Sequence, residues 1–173
     1  MLNNSSAFIE RTHFSYIYDI YDNFGLEYYL KISSVDSTST FYLYRSYRNI
    51  LVGFAKVVSL SPNTFFLGYI SVVSSVSYET FTFYSRFLDL VFLSTHWFEP
   101  KKYQKRGLGT SLLSIVVDHS RNNGAKTLRG CLAKKDISNN PGLTDWYLKN
   151  GFSLFDQTPR SDRFSGICVQ IFL

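Results

Sequence analysis

The chain has 173 residues, enough for one domain with a sizeable core and too few to divide comfortably into two. Hydrophobic residues make up 45% and aromatics 18%, with 16 Phe and 13 Tyr, which excludes global disorder and suits sheet-rich packing. A formal charge of +5 and a pI near 9.2 leave room for an anionic ligand or a nucleic acid without requiring either.

One domain over residues 1–173 is expected, with 1–6 as a flexible tail. The opening "MLNNSSAFIERTHF" has no basic segment leading into an apolar one, and no apolar run approaches the ~20 residues of a membrane span, so a soluble cytoplasmic protein with no membrane partner is expected. "FSYIYDIYDNFGLEYYLKI" shows some apolar periodicity but no long amphipathic helix. From there to Pro100, short runs rich in Tyr, Phe, Val and Ile alternate with polar clusters, which predicts a meander of antiparallel strands. Loops are expected at 33–40, at "LSPN" ending on Asn63, and at "SSVSYET" ending on Thr80. The apolar run 87–98 is long for one straight strand, and a bulge or kink is expected within it.

After Pro100 the period changes. Leu108, Leu112, Leu113, Val116 and Val117 fall on one helical stripe, with Arg121 in a basic last turn and Gly124 as a left-handed cap. "AKTLRGCLA" then reads as a strand with Leu128, Gly130 and Leu132 on one face. "NNPGLTDWYLKNGF" carries the punctuation of a short helix: Asn140 as N-cap, Pro141 at the first helical position, Asp145 early, Lys149 late and Gly151 past the end. A strand, a polar loop around 158–162 and a closing strand finish the chain. Cys131 and Cys168 lie in alternating apolar segments without metal-type spacing and are expected to be reduced, buried thiols, and no metal is expected.

Lys101, Lys102, Lys105 and Arg106 cluster before Gly107 and Gly109 at the mouth of the long helix. Unpaired amides and partial positive charge at a helix start bind phosphate oxygens, and glycines let an anion approach the main chain. The stretch therefore suits a diphosphate. It lacks the Gly-Lys-Ser/Thr ending of a P-loop and the third glycine of the dinucleotide fingerprint.

The run Gln104, Lys105, Arg106, Gly107, Leu108, Gly109, between a strand and an apolar helix, resembles the acetyl-CoA pyrophosphate loop of the GCN5-related N-acetyltransferases. A second match follows in order: Asn140, Leu143, Trp146, Tyr147, Gly151 and Phe152 are similar to that family's second signature, with Leu143 in place of a small residue. The resemblance covers 87–155 well. It implies an α/β single-domain acyl-CoA N-acyltransferase fold: a mixed, mostly antiparallel sheet with helices on both faces, here with an unusually strand-rich N-terminal half. Family members usually place one or two helices after the first strand. The strand near 90–98 is expected beside the strand near 128–133 as the one parallel pair, because the helix between them is a right-handed crossover.

The resemblance further implies acetyl-CoA as co-substrate. His96, Trp97 and Phe98 would offer main-chain groups to its acetyl and pantetheine portions, and Gln104, Lys105, Arg106, Gly107, Leu108, Gly109 and Thr110 would cradle the pyrophosphate. Asn140 would face the channel. Tyr147 would protonate the departing thiolate, and His96, with a reference pKa near neutrality, would accept the amine's proton. Glu99 and Asp89 are the other acids at that strand, and Asp136, Lys134 and Lys135 read as loop charges. The expected activity is transfer of an acetyl group to a primary amine of a small molecule or protein, by a monomer or homodimer. The alternative is a non-catalytic acyl-CoA-binding or protein-interaction module on the same fold. No nucleic-acid partner is expected, since aromatics do not interleave with the lysines of the loop.

Overall fold

A computed structural model describes residues 14–73, 103–155 and 166–173. The elements run β1 (Phe14–Tyr21), β2 (Glu27–Val35), β3 (Thr38–Arg45), a 3-10 turn (Tyr47–Asn49), β4 (Ile50–Ser61), β5 (Thr64–Val72), α1 (Leu108–Asn122), β6 (Thr127–Leu132), α2 (Lys134–Asn139), α3 (Leu143–Lys149), β7 (Ser153–Phe155) and β8 (Ile167–Phe172). The eight strands form one sheet in the order β1-β2-β3-β4-β5-β6-β8-β7. β5 and β6 are parallel and every other neighbouring pair is antiparallel, so the mixed, mostly antiparallel sheet and the strand-rich first half are as expected.

Alternation builds the meander. Tyr28, Leu30 and Ile32 on β2, Phe41 and Leu43 on β3, and Ala55 and Val57 on β4 point to one face and are almost wholly buried. The expected loop at 33–40 is mostly strand: Val35 pairs with Thr38, and only Asp36 and Ser37 make the turn, with Asp36 at φ 51°. Its Ser and Thr residues mislead because they flank inward apolar positions, as Ile32 opposite Phe41 shows. The turn at Pro62 and Asn63 stands where predicted, between Ser61 and Thr64.

α1 lies against β1, β4 and β5. Leu108, Leu112, Leu113 and Val116 enter the core, and Ser120 joins them by returning its hydroxyl proton to the Val116 carbonyl at 2.8 Å. Gly124, at φ 87°, donates its N–H to Arg121 O and ends the helix as the sequence predicts.

Three further expectations need correction. The parallel neighbour of β6 is β5, not the strand near 90–98, which lies outside the described residues, as do the loops ending on Thr80 and near 158–162 and the tail at 1–6. The crossover argument demands a strand before α1 without saying which, and "TFFLGYISV", burying Phe65 and Leu67, meets the demand. Second, Asn140 caps the end of a helix that sequence reading missed, α2, and α3 begins later, with Gly142 at its N-cap. Third, Cys131 and Cys168 face each other in the β6/β8 register and are joined in a disulfide, with Cα atoms 4.1 Å apart. Alternation alone told that each was in a strand, not that the two strands were paired at these positions. Disulfides are rare in the cytosol, so the bond lends no support to the cytoplasmic expectation drawn from the start of the chain. Among the described residues no helix is long and apolar enough to cross a membrane.

Candidate functional site

The sheet opens where two parallel strands part. β5 pairs with β6 from Thr64↔Thr127 to Leu67↔Gly130; beyond this, among the described residues, β5 continues only on β4, and Cys131 and Leu132 only on β8. A bulge marks the parting point: Val57 opposes Leu67 and Lys56 opposes Tyr69, leaving Gly68 as the extra residue. The result is a slot edged by main chain.

The start of α1 lies at the same end. The C-terminal side of α1 is fixed near the beginning of the pair, because Asn63 O accepts both Lys126 N–H at 2.9 Å and Thr127 N–H at 3.1 Å. A helix of 15 residues is about 22 Å long, so its first turn reaches the opposite end, where the slot opens. There the first intrahelical bond is Ser111 N–H to Gly107 O. The amides of Leu108, Gly109 and Thr110 precede it, no side chain among the described residues caps the helix, and no acidic residue occupies its first turn.

The loop leading in is held from behind by the β1–β2 turn. Arg106 donates Nε–H to Asp22 Oδ2 at 2.6 Å, and its guanidinium lies 4.4 Å from the centre of the Phe24 ring. Arg106 O accepts from Asn23 N–H at 3.0 Å. Gly107 has φ 84°, which favours glycine, and a Cβ there would stand 2.6 Å from Asn23 Oδ1, so a side chain would also have to displace the Asn23 amide. The Asp22 side chain is wholly buried. Burial raises its pKa, but the bond from Arg106 and those from the Leu26 and Phe24 amides and the Tyr28 hydroxyl outweigh it, and the carboxyl sits below its ordinary value.

Gln104, Lys105 and Thr110 are exposed, whereas the Leu108 side chain is in the core, so Leu108 offers the site main chain only. Lys105 adopts φ 61°. Trp146 donates its indole N–H to Thr110 Oγ1 at 3.2 Å, which brings α3 to the mouth of α1. Next to it Tyr147 is buried, its ring edge-on to Trp146 at 4.8 Å and to Phe152 at 5.2 Å. Burial, and then the charge of Asp136, push its phenol well above the usual value. Asn140 is exposed at the end of α2, its N–H on Asp136 O and its carbonyl accepting from Leu143 N–H. His96, Trp97, Phe98, Glu99 and Asp89 lie outside the described residues. Alongside, an open groove of about 430 Å³ runs between β1 and α1, bounded by Asp19, Tyr21, Thr110 and Ser114.

Sequence reading missed Asp22, Tyr28 and Asn23. The only signal was "DNFG", a turn sequence whose acid sits at the end of a strand.

The chain matches no family model, and no curated protein matches it. Solved structures do match. A GNAT family acetyltransferase from Elizabethkingia anophelis with acetyl-CoA bound is similar over 79% of this chain and 77% of its own, at 17% identity and a TM-score of 0.51. The chain has the GCN5-related N-acetyltransferase fold. Nourseothricin acetyltransferase is similar over 90% of this chain and 82% of its own, at 16% identity and a TM-score of 0.50. An acetyltransferase from Streptococcus agalactiae aligns over 79% and 68%, at 10% identity and a TM-score of 0.50. Within this fold the chain departs from the expected arrangement after the first described strand, where β1 turns directly into β2 through residues 22–26 instead of entering a helix.

Proposed function

We propose that the protein is an N-acetyltransferase that moves an acetyl group from acetyl-CoA to a primary amine of a small molecule or protein. One observation carries this reading: the uncapped, acid-free start of α1 and the opening of the β5/β6 slot lie at the same end of the sheet. A diphosphate on the amides of Leu108, Gly109 and Thr110, with Lys105 and Gln104 beside it, leaves the pantetheine arm to follow the slot. Gly109 suits this approach, since it adds no side chain to the loop.

Tyr147 is the proposed donor to the sulfur, with Asn140 at the channel edge. A phenol held well above its ordinary pKa stays protonated through the physiological range. Full transfer of that proton to a thiolate is uphill, so the hydroxyl acts by hydrogen-bonding the charge that develops on sulfur. His96 is proposed from the sequence as the group that accepts the amine's proton, with Trp97 and Phe98 offering main chain to the acyl group. The similarity of the fold to an acetyltransferase with acetyl-CoA bound supports the cofactor.

The test is calorimetry with CoA followed by a thiol-release screen of acetyl-CoA against several amine classes. Binding with acceptor-dependent release is expected. Binding without release for any amine, in wild type and Tyr147→Phe alike, would leave a non-catalytic acyl-CoA module, and absence of CoA binding would end both readings.

A further inference from the structure

Arg106 is the cation that the sequence offers most readily to a phosphate, yet its Nε is spent on a buried carboxylate. Asp22 uses all its capacity nearby. Oδ2 accepts from Arg106 at 2.6 Å and from the Tyr28 hydroxyl at 3.0 Å, and Oδ1 accepts from Phe24 N–H at 2.9 Å and Leu26 N–H at 3.0 Å. The Arg106 side chain is only 15% exposed. The grip extends to its main chain through Asn23, and to Gly107, whose Cα faces the Asn23 side chain. Just ahead of the loop, Tyr103 is buried edge-on against Tyr28 at 6.4 Å.

We infer that Asp22 is a positioning residue for the diphosphate loop: through Arg106 it fixes the turn at 105–107 and thereby aims the amides of 108–110, and Arg106 serves the ligand by shape and not as a phosphate contact. This rests on the CoA reading above. The turn explains why shape needs fixing. Lys105 and Gly107 both hold positive φ, at 61° and 84°, a pair of conformations that a free loop seldom keeps together. An ion pair with three further hydrogen bonds to the same carboxylate, made by residues 84 apart in sequence, supplies the missing constraint.

The experiment compares affinities for CoA and for pantetheine, which lacks the diphosphate, in wild type, Asp22→Asn, Arg106→Gln and the double variant. In wild type CoA should bind the more tightly. Each single variant should lose about tenfold or more of that preference, the scale of a charged hydrogen bond, while pantetheine affinity stays within about twofold. In the double variant the two amides pair without a buried charge, so the loop and much of the CoA preference should return. If Arg106 were a phosphate ligand, the double variant would bind CoA no better than Arg106→Gln, and the proposal would fall. It would also fall if Asp22→Asn kept the full preference. Should Asp22→Asn not fold, the comparison of Arg106→Gln with the double variant decides alone. Wild type that binds CoA no better than pantetheine removes the CoA reading itself, a result the variants cannot mimic.

Discussion

Trp146 and Thr110 are hydrogen-bonded across the gap between α3 and α1, and the same indole ring would lie 3.6 Å from a Cβ built on Gly109. That is ordinary contact. Gly109 and Gly107, two residues apart in one motif, are therefore glycine for different reasons, and the difference can be measured.

Gly109→Ala should fold with nearly wild-type stability and lose CoA affinity, because the methyl intrudes on the ligand and not on the protein. Gly107→Ala should cost about 1–3 kcal/mol of stability, from positive φ and from Asn23, before any ligand is added. Urea denaturation and calorimetry on the two variants separate the effects. Equal stabilities would remove both the positive φ and the Asn23 contact from the account.

Tyr147→Phe keeps the ring between Trp146 and Phe152 and removes the hydroxyl. CoA affinity should persist while kcat falls by about 10²-fold, within the usual range for such a group. Since the phenol is raised above its ordinary value of 10.0, the wild-type rate should show no fall from loss of this proton up to about pH 10. A basic limb near pH 8 that vanishes in the Phe variant would contradict the burial argument.

His119, in the last turn of α1, shares a 3.0 Å hydrogen bond with Ser39 Oγ and meets the Phe41 ring edge-on at 5.1 Å. Burial lowers its pKa below 6.5. The unfolded chain then takes up its proton first on acidification, so stability that is complete above 6.5 declines as pH falls through the window down to the folded value. His119→Gln should flatten the stability profile there. An unchanged slope in denaturation midpoints between pH 7 and 5 would show that another group titrates.

Reduction of the Cys131–Cys168 bond reopens a link between residues 37 apart and should lower stability by about 2–4 kcal/mol. Thermal melts with and without a thiol reductant test this, with Cys131→Ser as a variant indifferent to the reductant.

What the sequence made legible follows from range. α1 announces itself because Leu108, Leu112 and Val116 repeat at helical spacing within one element, and Gly124 stops it locally. The loop glycines were legible for the same reason. Asp22 was not, since its meaning depends on Arg106, which only the folded sheet brings within 2.6 Å. The disulfide and the β5/β6 pairing were hidden likewise: each is a register between distant strands, and alternation reports a strand's faces without naming its neighbour. α2 escaped because six residues with none buried carry no stripe to read.

The strand order gives β7 an unusual dependence. It follows β6 in the chain but, among the described residues, pairs only with β8, which lies between them. β7 therefore reaches the rest of the sheet only through β8, whether the two pair first with each other or β8 first docks on β6. Damage to β8 would reach backwards, stripping Phe155 and its neighbours of their partners while β1 to β5, paired in sequence, could still form. Hydrogen exchange should find the amides of β7 opening no later than those of β8, whatever the conditions.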